Sequence, residues 1–134
     1  MSAAPTSTQQ PALTSAQTRA YEAFDQLATM VAVVHREGSC LFANAAFEHV
    51  LGLSRRSVLR GSLFDWFVDA QIVRDTVDAV ARNDFATSRF EALLRRPAAL
   101  HSDPLPVHVI VNQMERGDQV LVELVEIEQQ TRQD

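Results

Sequence analysis

Between Phe42 and Phe67 the chain places three side-chain caps, Asn44, Ser54 and Ser62, each directly ahead of a short run of apolar residues at helical spacing. A capping oxygen satisfies N–H groups that the first turn of a helix leaves without partners, so each such residue marks a helix start. Leu41, Phe42 and Ala43 read as the end of a strand, and after Asn44 the residues Phe47, Val50 and Leu51 share one helical face. Ser54 opens a second turn through Val58 and Leu59, Gly61 supplies the freedom to reverse direction, and Ser62 opens a third turn with Leu63, Phe64 and Phe67. Helices interrupted this often cannot form a bundle. They wrap around another element.

That element is a sheet. Met30 to His35 is rich in β-branched residues, Glu37 and Gly38 give a turn signal, and Ser39 to Ala43 returns, which predicts a hairpin. Asp69 is expected to cap a longer helix in which Val73, Val77 and Val80 share a face, ending near Asn83 and Asp84. In the strand that follows, Ser88, Phe90, Ala92 and Leu94 alternate with Arg89, Glu91 and Arg95 until Pro97 stops it. Two further strands, Leu105 to Met114 and Gln119 to Glu128, flank the tight Gly117–Asp118 hairpin and are apolar on both faces. Something must cover their outer side. The amphipathic helix predicted from Ala16 to Leu27, with Ala16, Ala20, Phe24 and Leu27 as its stripe and Tyr21 beside it, is one candidate cover, and a second subunit is the other.

The expected class is therefore α+β: a five-stranded antiparallel sheet with short helices and one longer helix on one face, plus the N-terminal amphipathic helix. With 134 residues, 46% of them hydrophobic, there is material for one core. Residues 1–15 lack aromatic and charged side chains and read as a disordered tail, residues 16–128 as the domain, and residues 129–134 as the start of a connector. The opening has no basic start followed by an apolar run, and no stretch of eighteen apolar residues occurs, so a cytoplasmic location is expected with no membrane partner. A net charge of −5 argues against nucleic acid, because the pairs Arg55–Arg56 and Arg95–Arg96 make no basic face. The single Cys40 excludes an internal disulfide and reads as a small buried residue in a strand rather than a reactive thiol.

The order of elements over roughly residues 16–128 resembles the PAS domain. The match is best in FANAAFEHVLGLSRRSVLRG, from Phe42 to Gly61, where an aromatic, a small residue, Asn, a small residue and an aromatic-bearing helix follow one another, and the Glu37–Gly38 turn also fits. Within that family the final segment from Gln119 to Arg132, QVLVELVEIEQQTR, is similar to the last strand and polar connector of the N-terminal sensor domain of NtrB-type nitrogen-regulation histidine kinases. The resemblance implies a sensory and dimerisation module in a cytoplasmic bacterial two-component kinase. It further implies a homodimer, a kinase core, and a PII-type regulator and a response regulator acting through the parent protein. PAS domains of other kinases or of transcription regulators, including small-molecule and flavin sensors, form the alternative.

Catalysis finds little support in these residues. His35, followed by Arg36 and Glu37, lies at a strand end rather than on a phosphoacceptor helix, and four scattered glycines make no phosphate-cradling loop. His101, Asp103 and His108 have no recognised metal-ligand spacing, so no metal is expected. The helix after Asp69 has no histidine to ligate haem, and RGSLFDWF lacks the cysteine of photoactive flavin relatives, which leaves a non-covalent flavin or a small metabolite open and no cofactor expected. Trp66 could stack on a flavin but reads better as core or interface. For a small isomerase, Tyr21 and a buried Asp65 would be the candidate groups, and they make a poor set.

The candidate functional residues are thus of three kinds. A pocket between sheet and helices would be lined by Val33, Phe47, Phe64, Phe67, Val77 and Phe90, beside the cap Asn44. A dimer interface would use Tyr21, Phe24 and Leu27 of the leading helix with Val122 and Leu124 of the last strand. A signal connector would run through Glu126, Ile127 and Glu128.

Overall fold

The computed structural model describes residues 29–96, 103–115 and 117–127. The expected tail, the leading helix with Tyr21, Phe24 and Leu27, and the connector from Glu128 onward lie outside these residues.

The hairpin forms from β1 (Met30–His35) and β2 (Cys40–Ala43). Gly38 makes its turn possible twice over. Its φ of +103° is a conformation that side chains disfavour, and a Cβ there would stand 2.6 Å from both the Phe64 ring and Ser62 Oγ. Two short helices follow, α1 (Ala45–Leu51) and α2 (Arg55–Arg60), and then a single 3-10 turn from Leu63 to Trp66. Each starts at its side-chain cap: Phe47 N–H donates to Asn44, Ser57 N–H to Ser54 and Phe64 N–H to Ser62. Gly52, with φ of +73°, closes α1 in the left-handed conformation.

Gly61 departs from its expected role. Its backbone is extended, which any residue adopts, and what restricts the site is Trp66, whose ring would lie 3.1 Å from an added Cβ.

The longer helix α3 (Ala70–Ala81) begins at Asp69, whose carboxylate accepts from Gln71 N–H, and buries Val73, Val77 and Val80. Three valines at full burial contribute on the order of 2 kcal/mol each to holding the helix on the sheet. At its end, Asp78 accepts from Arg36 of the hairpin turn and from Arg82, which ties α3 to the turn across an exposed surface. Strands β3 (Thr87–Leu94), β4 (Leu105–Gln113) and β5 (Gln119–Glu126) complete one antiparallel sheet in the order β2-β1-β5-β4-β3.

The first and last strands are therefore neighbours, with Ala32 opposite Val122 and Val33 opposite Leu121, while β4 sets Val111 beside Val122. Side chains alternate, so one face carries Met30, Ala32, Val34, Val107, Val109, Val111, Val120, Val122 and Leu124, all within one buried cluster with the helices. The other face carries Val31, Val33, Leu121, Glu123 and Val125.

Candidate functional site

Asn44 is the point where sheet and helices are tied together. It is fully buried, and its Oδ1 accepts from Val31 N–H at 3.0 Å and from Phe47 N–H at 3.1 Å, while its Nδ2 donates to Thr29 O at 2.8 Å. One amide thus serves as helix cap and as an extra rung beside β1, and its two functions explain why a polar side chain is tolerated at zero exposure.

Behind it, four of the six pocket candidates come together. Phe47, Phe64, Phe67 and Val77 are buried in the same cluster, with Phe90 partly buried against it. Trp66 joins them, meeting the Phe47 ring edge-on at a centroid distance of 5.6 Å. Arg74 of α3 lies over the Phe64 ring at 4.6 Å, so a cation covers the outer side of that aromatic.

Val33 does not belong with them. It is 0% exposed, yet the alternation of β1 places it with Leu121 on the sheet face opposite the helices. A hydrophobic run in which every residue is apolar shows that both faces are covered without showing which residue faces which layer.

The same ambiguity reverses the reading of β5. Val122 and Leu124 are each 0% exposed and lie on the helix-bearing face, inside the core, so neither is available to a second subunit. The residues of β5 on the outer face are Leu121, Glu123 and Val125, of which Val125 is 37% exposed. The other interface candidates, Tyr21, Phe24 and Leu27, lie outside the described residues. Of the connector, Glu126 closes β5 and is exposed, and the Ile127 N–H donates to Pro106 O at 3.0 Å.

Asp65 is exposed on the 3-10 turn rather than buried, because Leu63, Phe64 and Trp66 take the inward positions of that turn. His35 holds the hairpin turn: its Nδ1 accepts from Glu37 N–H at 3.1 Å and its Nε2 stands 3.7 Å from Asp118 Oδ2. His108 lies 3.9 Å from Glu91 on the exposed side of the sheet, and among the described residues no group of three His, Cys, Asp or Glu side chains gathers where it could hold a metal. Cys40 is buried, and that burial pushes its thiol up from 9.0 to about 12 against the smaller opposing effect of its hydrogen bond to Phe42 O.

Sequence reasoning missed two features that shape this region. The fit of Gly38 against Phe64 depends on residues distant in the chain, so only the unusual pairing of a turn glycine with a downstream aromatic hints at it. The second is Gln119, a polar residue at the start of β5 that is buried opposite His35.

The architecture is thus a five-stranded antiparallel sheet with short capped helices and one longer helix on a single face. The family model for the PAS domain matches residues 18–86, more than half of the chain, and this protein belongs to the PAS domain family. No curated protein sequence matches it.

Among solved structures it is similar to the PAS domain of an HTR-like protein from Haloarcula marismortui, at 22% identity and a TM-score of 0.63, covering 84% of this chain and 92% of that one. A domain of a sensory box sensor histidine kinase/response regulator from Geobacter sulfurreducens aligns at 20% identity and a TM-score of 0.65, over 81% of this chain and 93% of that one. The PAS domain of nitrogen regulation protein NR(II) from Vibrio parahaemolyticus aligns at 16% identity and a TM-score of 0.55, over 77% and 93%. The chain is a PAS domain, and its fold is shared with PAS domains found in these signalling proteins.

Proposed function

We propose that this domain is the sensory and dimerisation module of a cytoplasmic two-component histidine kinase of the NtrB type, and that it relays nitrogen status to the kinase core. The observation that carries this reading is the place of β5. It lies in the middle of the sheet between β1 and β4, presents Val120, Val122 and Leu124 to the helices, and leads straight into Glu126 and Ile127. A shift of the helices against the sheet therefore acts on the strand that leads toward the C-terminus. The polar sequence after Ile127 supports a connector there.

In this reading two copies pair through the leading helix and the outer sheet face, with Glu126, Ile127 and Glu128 carrying the displacement onward. A PII-type regulator and a response regulator act on other parts of the parent protein. The packing of Phe47, Phe64, Phe67 and Val77 into a continuous core favours relay over a large internal ligand.

Two measurements test the proposal. The full-length gene product, given ATP, is expected to acquire an acid-labile phosphohistidine, and native mass spectrometry of this chain is expected to give twice the polypeptide mass. Absence of the phosphohistidine removes the kinase reading, and a monomer at all concentrations removes the dimerisation reading.

A further inference from the structure

β3 ends one side of the sheet, with β4 as its only strand neighbour. It runs for eight residues without proline, glycine or a break in register, whereas β2, at the opposite edge, has four residues and a register shift against β1. An edge strand leaves every second residue's N–H and C=O unpaired. Which residues these are is fixed by two bonds. Ala86 O accepts from Gln113 N–H on the β4 side at 2.8 Å, and Leu93 O accepts from Val68 N–H on the free side at 3.0 Å. Alternation then turns the backbone groups of Thr87, Arg89 and Glu91 outward, where among the described residues no strand pairs with them. All three residues are exposed.

Two features make this edge complementary to itself. Arg89 and Glu91 carry opposite charges on one face of the strand, and Phe90 lies between them on the other face, partly buried. An antiparallel second copy, related by a twofold axis through Phe90, sets Arg89 of each copy opposite Glu91 of the other. Moving the axis to Arg89 or to Glu91 sets like charges opposite each other, and moving it further loses both ion pairs, so charge selects one register. The second feature lies at the ends of the edge. Phe85 at 56%, Val68 at 45% and Leu93 at 44% are the most exposed large apolar side chains among the described residues. The same axis carries Phe85 of each copy toward Val68 and Leu93 of the other, which covers apolar surface on both.

We propose that β3 pairs with β3 of a second copy of this chain along the edge from Arg89 to Glu91. Each Arg89–Glu91 pair exchanges two N–H···O bonds, and the two Phe90 side chains stand opposite one another. Val68 already holds Leu93 O, so the paired stretch ends at Glu91, and the twist between the strands carries Thr87 past Val68. A contact this short belongs to the weak, transient class and forms where the protein is concentrated. It uses the strand edge rather than the face of Leu121 and Val125, so it joins dimers of the kind proposed above into larger assemblies and does not rest on the kinase reading.

The test is amide-resolved NMR of the full chain over a concentration series from about 0.05 to 2 mM. The Arg89 and Glu91 amides are expected to shift saturably with a dissociation constant of about 0.1–1 mM, and their hydrogen exchange to slow as concentration rises. Arg89→Glu and Glu91→Arg are each expected to weaken self-association at least about tenfold while circular dichroism stays unchanged. Isotope-labelled Arg89→Glu mixed with unlabelled Glu91→Arg is expected to recover the shifts, because the mixture again sets opposite charges across the axis. The proposal is overturned if the parent shows no slowing at these two amides up to about 2 mM, if both variants associate as the parent does, or if the mixture recovers nothing. Concentration-dependent shifts confined to Leu121, Glu123 and Val125 also overturn it, and they belong to the outer-face interface instead.

Discussion

Val31 and Asn44 are joined by two hydrogen bonds in opposite senses: Val31 N–H donates to the Asn44 side chain at 3.0 Å, and Asn44 N–H donates to Val31 O at 2.9 Å. Because the same side chain also caps α1, the strand and the helix cannot separate without leaving buried donors unpaired.

Replacing Asn44 by Ala removes the cap and strands the Val31 and Phe47 N–H groups. The lost cap at Phe47 N–H costs about 1 kcal/mol and the unpaired buried Val31 N–H about 1–3 kcal/mol more, so a total of about 2–4 kcal/mol is expected in urea denaturation. A loss under about 1 kcal/mol would show that the bonds are replaced by water.

Gly38→Ala places a Cβ 2.6 Å from the Phe64 ring at a φ of +103°. Overpacking and backbone strain together are expected to cost about 2–4 kcal/mol. Gly117→Ala is the control, because nothing lies within 4 Å of its added Cβ, and its melting temperature should stay within a few degrees of the parent.

On β5, Val122→Asp buries an unpaired carboxylate in the core and is expected to abolish cooperative unfolding at room temperature. Val125→Asp, on the outer face, should leave the fold intact by circular dichroism and shift sedimentation from dimer to monomer. A folded Val122→Asp protein would mean that the two faces of the strand have been assigned the wrong way round.

The Cys40 thiol, raised by burial to about 12 in the folded chain against 9.0 when free, favours the protonated state of the fold. Its contribution is fully present below pH 9 and is lost as the unfolded thiol ionises between pH 9 and 12, at up to about 1.4 kcal/mol per pH unit. Cys40→Ala should flatten that part of the stability profile. In the native protein, a thiol reagent at pH 8 should react only on the timescale of unfolding, and rapid labelling would contradict the burial.

What the amino-acid order determined by itself was local or periodic. Asn44, Ser54, Ser62 and Asp69 each sit beside the N–H groups they cap, so a few residues of chain suffice to specify each helix start. The strands were legible in the same way, because alternation and the Glu37–Gly38 and Gly117–Asp118 turns are short-range signals. Alternation says which residues of β5 share a face. It does not say which face meets the helices when both are apolar, so the sides of Val33, Val122 and Leu124 were decided by the packing of α3 and the short helices onto the sheet. The contact of Gly38 with Phe64, the restriction of Gly61 by Trp66 and the outward turn of Asp65 follow from the same docking. Each depends on residues brought together from separate elements, and van der Waals exclusion and charge spacing exist only once those elements have met.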